Sequence, residues 1–169
     1  MRTSLRWFVL LLVVLSYGCK THSLGSEWRP LKRIRESEIL AVGVSTKGAR
    51  TLATEVIVRN LSKWLKLHPE PLFTAALKHE LVHAQRQKKM GFLKWTSRYL
   101  TDKKFMWEEE QLGYYEHLIY LKRHGVRIVF ESWAKNISNY LALEGRMVSY
   151  KDAHVWILAV WAGQWKPPQ

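Results

Sequence analysis

The segment "AALKHELVHAQRQ", residues 75–87, holds the residues most suited to chemistry: His79, Glu80 and His83. Side chains four apart stand one turn apart on one face of a helix, so both imidazoles can point at a single ion. Zinc accepts neutral imidazole nitrogen at ~2.0–2.1 Å, and two such ligands anchor it. Glu80 follows His79 by ~100° around the helix, which puts its carboxylate beside the metal without binding it. From there it can take a proton from water and pass it to a leaving amine. Leu77, Leu81 and Val82 surround the pair with the apolar character of a buried helix. The bland alternative is a helix carrying two partly exposed histidines and no metal.

A catalytic ion of this kind needs a third protein ligand, and no cysteine lies downstream of the pair. The longer metzincin pattern requires glycine and histidine where this chain has Arg86 and Lys89, so that form is excluded. A glutamate from a later helix remains, and "MWEEEQLGYYEHLIYLKRHG" offers Glu108, Glu109 and Glu110. Glu110 shares a stripe with Gly113, Tyr114, His117 and Leu121, and Gly113 lets two helix backbones approach closely. Glu109 stripes with Leu112 and Glu116, and Glu108 with Gln111, Leu112 and Tyr115. Helix geometry favours Glu110, with Glu108 next and Glu109 third. The others fit a solvated acidic patch or partners of the histidines.

"HELVHAQRQKKMGFLKWTSRYL" followed by "EQLGYYEHLIYLKRHG" resembles small zinc metallopeptidases of bacteria and phages, of the minimal gluzincin type, over residues 55–125. The resemblance is specific at His79, Glu80 and His83 and loose at Glu110. Gly113 stands where the pattern has alanine, and Tyr114 where larger gluzincins place an aspartate. It implies a zincin-like fold, zinc held by His79, His83 and Glu110, Glu80 as general base and then acid, and a peptide or protein substrate laid along an edge strand. The candidate strand is residues 55–59. Tyr114, His117, Tyr150 and His154 are the candidates for stabilising an oxyanion.

The elements that must position these residues follow from periodicity. Valine, isoleucine and threonine between residues 39 and 59 predict two strands, 39–45 and 55–59, as a small hairpin. "LSKWLKL" is a short amphipathic helix. Apolar spacings of three and four predict helices over 71–89, across "FLKWTSRYL", over 105–124 and through "VRIVFESWAKNISNYLALEG". Ser149 and Asp152 form a capping box for a last helix over 150–165. The expected fold is a mostly helical α+β domain, residues 39–169, with a small N-terminal β-hairpin.

The first nineteen residues, "MRTSLRWFVLLLVVLSYGC", have Arg2 and Arg6 ahead of an apolar run too short to span a bilayer. With Gly18 before the lone Cys19, they resemble a bacterial lipoprotein signal, residues 1–18, whose cysteine carries the lipid. An ordinary cleaved signal or an uncleaved anchor would equally export the domain to the cell envelope. Residues 19–38 then read as a polar tether. The 169-residue chain has a net charge of +13, which suits an anionic partner such as a membrane surface or a wall polymer. It shows no nucleic-acid-binding motif. Nine tryptophans suit a thin helical core or a contact surface. A second reading is therefore a non-catalytic basic envelope lipoprotein that binds membrane, cell wall or a protein partner. Glu80 argues against it, because a structural metal site has no use for a carboxylate there and usually closes with four protein ligands.

Overall fold

The structure is a computed structural model and describes residues 20–37 and 49–168. The signal-like segment, Cys19 and the strand expected at 39–45 lie outside the described residues. Four short strands form one mixed sheet: β1 (Thr21–Ser23), β2 (Arg33–Glu36), β3 (Arg50–Leu52) and β4 (Glu55–Val58). Their order is β1-β2-β4-β3. β2 and β4 are parallel, with Ile34 beside Val56, while β3 and β4 form an antiparallel hairpin with Thr51 beside Val56.

Six helices follow: α1 (Leu61–Leu67), α2 (Leu72–Met90), α3 (Phe92–Thr101), α4 (Lys103–Arg123), α5 (Phe130–Ser138) and α6 (Tyr150–Ala162). The fold is mostly helical α+β. Side chains cap the helix starts where the sequence offers them. Asn60 accepts from the Lys63 N–H, Asp102 from that of Phe105, and Ser149 from that of Asp152. Each satisfies a donor that has no partner within its own helix. Gly163, at φ 78°, ends α6 three residues before the expected stop.

Two expectations are corrected. The span read as a polar tether carries β1 and β2, and Leu31 and Ile34 within it are fully buried. The charges disguised a period-two strand. Ile34 points inward while its neighbours Arg33 and Arg35 both bond Glu55 on β4. Helix α5, expected to run through residues 126–145, is also shorter. It stops at Ser138, and the chain forms a second hairpin, β5 (Leu141–Ala142) and β6 (Gly145–Arg146). Ala142 is buried and Leu141 exposed, the alternation of a strand, and Gly145 takes φ +107°, closed to most side chains.

Two cores result. One joins the sheet to α1 and α2 through Ile34, Val56, Trp64 and Leu77. The other joins α4, α5, α6 and the second hairpin through Leu118, Ile137, Ile157 and Val160. The eight tryptophans among the described residues are all buried or half-buried, so they serve as core. Helices α2 and α4 pack together between the two cores. Among the described residues, no helix is long and apolar enough to cross a membrane.

Candidate metal centre

Helix α2 turns Ala75, Ala76, Leu77, His79, Glu80, His83, Ala84 and Gln87 into the protein. That stripe follows from spacings of three and four and places both histidines on the seam with α4. Across the seam, α4 buries Glu109, Glu110 and Gly113. His79, His83 and Glu110 form a buried group whose ligand atoms lie close enough together to hold a metal ion. The two Nε2 atoms are 3.0 Å apart. Glu110 Oε2 is 3.4 Å from His79 Nε2, and Glu110 Oε1 is 3.3 Å from His83 Nε2. Tetrahedral ligands at ~2.0–2.1 Å from one ion stand ~3.3–3.4 Å from each other. These four atoms, one nitrogen from each histidine and both oxygens of Glu110, are spaced near the separations of ligands around one ion, and Glu110 Oε2 has no hydrogen-bond partner of its own.

The three acidic candidates of α4 have different fates. Glu108 is exposed. Glu109 is fully buried but already engaged: Arg86 Nε lies 2.6 Å from each of its oxygens, and the Trp95 indole N–H donates to it at 2.9 Å. Glu110 alone faces the histidines. Burial pushes its carboxyl pKa up, but the close approach of His83 and His79 outweighs this and holds it well below the ordinary carboxylate range. Burial likewise opposes a charge on His83, yet Glu110 raises its pKa above 6.5. The negative charge of Glu110 that favours a proton on His83 would equally favour a cation beside it.

Packing, more than hydrogen bonding, orients the two rings. Both Nδ1 atoms are buried and lack a hydrogen-bond partner. His79 lies against Tyr114, with ring centroids 4.4 Å apart, and against Gly113. A Cβ at Gly113 would stand 3.0 Å from three atoms of that ring. His83 lies against Trp95, which stacks on Tyr99 at 4.6 Å. The Tyr99 hydroxyl donates a short hydrogen bond to Glu110 Oε1. Helix α3 thus supplies the partner that the sequence did not reveal, in place of an aspartate on α4.

Glu80 stands outside the ligand group and meets β3. The Thr51 hydroxyl is 2.5 Å from Glu80 Oε2 and 3.0 Å from its backbone carbonyl. About two turns further along α2, Gln87 accepts from the Ala53 N–H at 2.8 Å and donates to the Thr51 carbonyl. These bonds set the register of β3 along α2. They also correct the choice of edge strand. Residues 55–58 pair on both sides, with β2 and β3, whereas β3 is the last strand of the sheet among the described residues.

The proposed oxyanion donors separate. Tyr114 and His117 lie near His79, the latter with its ring 6.3 Å away. Tyr150 and His154 instead stack on each other, with His154 beside Glu131, on the α5–α6 pair. Tyr114 is joined at 3.1 Å by the hydroxyl of Tyr140, a residue the sequence did not single out. Burial first, and nearby acidic groups second, push the pKa values of Tyr99 and Tyr114 up, so both hydroxyls keep their protons. Burial drives His117 well down, leaving it neutral. The alternation of Tyr140 with Ala142 was the available signal for the first, and the Trp95–Tyr99 spacing for Tyr99. Thr51 carried none.

No protein-family model, no curated protein and no solved structure matches this chain.

Proposed function

We propose that this protein is a zinc-dependent peptidase of the bacterial cell envelope, held at a membrane through a lipid on Cys19. The observation that carries the reading is the convergence of His79, His83 and Glu110 at the spacing of ion ligands, with Glu80 held just outside the group. A structural site would not need that fourth, non-ligating carboxylate. When bound, zinc supplies positive charge that acidifies water and polarises a carbonyl. Glu80 accepts a proton from the attacking water as the water oxygen bonds to the peptide carbon. As the C–N bond breaks, it delivers that proton to the leaving nitrogen. Thr51, bonded to Glu80, fixes which carboxylate oxygen turns away from β3 and toward the substrate. An extended peptide can pair with the edge of β3, which runs past Glu80. Tyr114, whose ring lies against His79, is a donor for the developing oxyanion. The apolar run before Cys19 and the basic charge support the envelope location.

The test is metal content of the full chain by elemental mass spectrometry across zinc, iron, manganese and cobalt, beside cleavage of a peptide library. About one zinc per chain is expected in the native protein and in Glu80→Gln, and none in His83→Ala. Only the native protein should cleave. A folded native chain that binds no metal sinks the reading, as does a Glu80→Gln variant that still cleaves.

A further inference from the structure

We propose that the outer side of α3 and the β5–β6 hairpin form a docking surface for an anionic lipid membrane, independently of the metal chemistry. Three large apolar side chains stand out of the fold there: Leu143 is 82 % exposed, Leu141 69 % and Leu100 45 %. They belong to one surface. The Leu143 N–H donates to the Leu100 carbonyl at 2.8 Å, which also satisfies a carbonyl that the last turn of α3 leaves free. Leu141 lies on β5 and Leu143 in the turn that follows it, and both are exposed while Ala142 between them is buried.

The charge around these leucines says what covers them. Arg146 pairs directly with Leu141 across the hairpin and is exposed on the same face. Lys103 and Lys104 follow Leu100 at the start of α4 and are exposed. Two acids neighbour them: Glu144 sits 3.5 Å from the Lys103 N–H at that helix start, where its charge is partly met, and Asp102 caps the same helix and pairs with Arg98 at 3.3 Å. Protruding leucines ringed by cations match the boundary between acyl chains and anionic headgroups. The net charge of +13 acts in the same direction at longer range.

The same two segments form one wall of the metal centre. Tyr99, next to Leu100, reaches inward to Glu110, and Tyr140, next to Leu141, reaches Tyr114. A membrane seated on the outer side would hold the centre close to the bilayer surface.

Hydrogen exchange on the full chain, reconstituted with phosphatidylcholine vesicles with and without phosphatidylglycerol, tests this. The readout is local protection, because the N-terminal segment can hold the chain to either vesicle. Protection of residues 98–104 and 141–146 on the phosphatidylglycerol vesicles alone is expected. It should be lost in Leu141→Ser/Leu143→Ser and in Lys103→Glu/Lys104→Glu, surface changes that leave the fold intact. The segment of α6 that carries Val155 and Leu158, apolar side chains exposed elsewhere on the surface, serves as the internal control and should gain no protection on either vesicle. Absence of protection on vesicle-bound protein overturns the proposal. Equal protection without anionic lipid also overturns it, as does protection that grows with protein concentration in the absence of lipid, the sign of a second copy.

Discussion

Two adjacent glutamates of α4, both buried, have unlike partners and should fail in unlike ways. Glu110 faces two imidazoles, whereas Glu109 faces a guanidinium and an indole N–H. Glu110→Ala removes one of the three residues that could hold the ion, so metal affinity should fall by more than the ~10–100-fold expected for loss of an outer partner. Glu109→Ala leaves Trp95 Nε1 and Arg86 without their acceptor. Arg86 is 37 % exposed and can turn to water, which limits the cost to about 2–3 kcal/mol of stability. Chelator competition and thermal unfolding of both variants check the assignment. Should Glu109→Ala be the one that sheds the metal, the ligand assignment is wrong. Tyr99→Phe completes the set. It keeps the stack on Trp95 and deletes only the hydroxyl on Glu110, so metal affinity should drop ~10–100-fold while stability changes by about 1 kcal/mol.

At the scale of elements, Gly113 sets how closely α4 can approach α2. Alanine is the better helix former by about 1 kcal/mol, while forcing a methyl into a packed site costs about 1–3 kcal/mol. The two nearly cancel in stability but not at the metal, because the methyl would press on the His79 ring itself. Gly113→Ala should stay folded and bind metal at least ~10-fold more weakly, as an outer-partner mutation does. Unchanged affinity would mean that the seam can widen without moving the ring. Gly113 and its stripe with Glu110 were legible in the sequence because both lie on one helix, where position is set by local geometry. So were α2, α4 and the capped start of α6. The bonds that complete the site were not. Thr51 meets Glu80 from 29 residues away, and Tyr99 meets Glu110 only because α3 folds back onto α4. Short strands hid for a different reason. Two to four residues of alternation, as in Arg33–Glu36 or Leu141–Ala142, are too few to stand out among charged neighbours or against a helical run.

For the whole molecule, a metal ion held by His79, His83 and Glu110 would join two separately packed cores, since the histidines come from a helix of one and Glu110 from a helix of the other. Metal binding should therefore add to global stability. At a free concentration 100-fold above Kd the gain is about 2.7 kcal/mol, or ~5–10 °C in Tm for a domain of this size. The gain should depend on pH with a definite sign. In the metal-free protein the pKa of His83 is raised above 6.5, so its contact with Glu110 contributes stability that is fully present below 6.5 and lost as pH rises through the folded value. The lowered pKa of Glu110 acts oppositely. Its contribution is present above 4.5 and lost only as pH falls toward the folded value, so it is constant across the neutral range. A histidine must be neutral to bind metal, and Glu110 favours the protonated form of His83, so affinity should weaken as pH falls. Both effects on His83 point the same way. Raising pH removes a prop from the metal-free protein and strengthens the metal complex. The difference in Tm between zinc-supplied and chelator-treated protein should thus widen steadily from pH ~6 to ~8 around the ordinary histidine value. A difference that is flat over this range would show that no proton leaves the site when metal enters, and a difference that narrows would place the binding elsewhere on the chain.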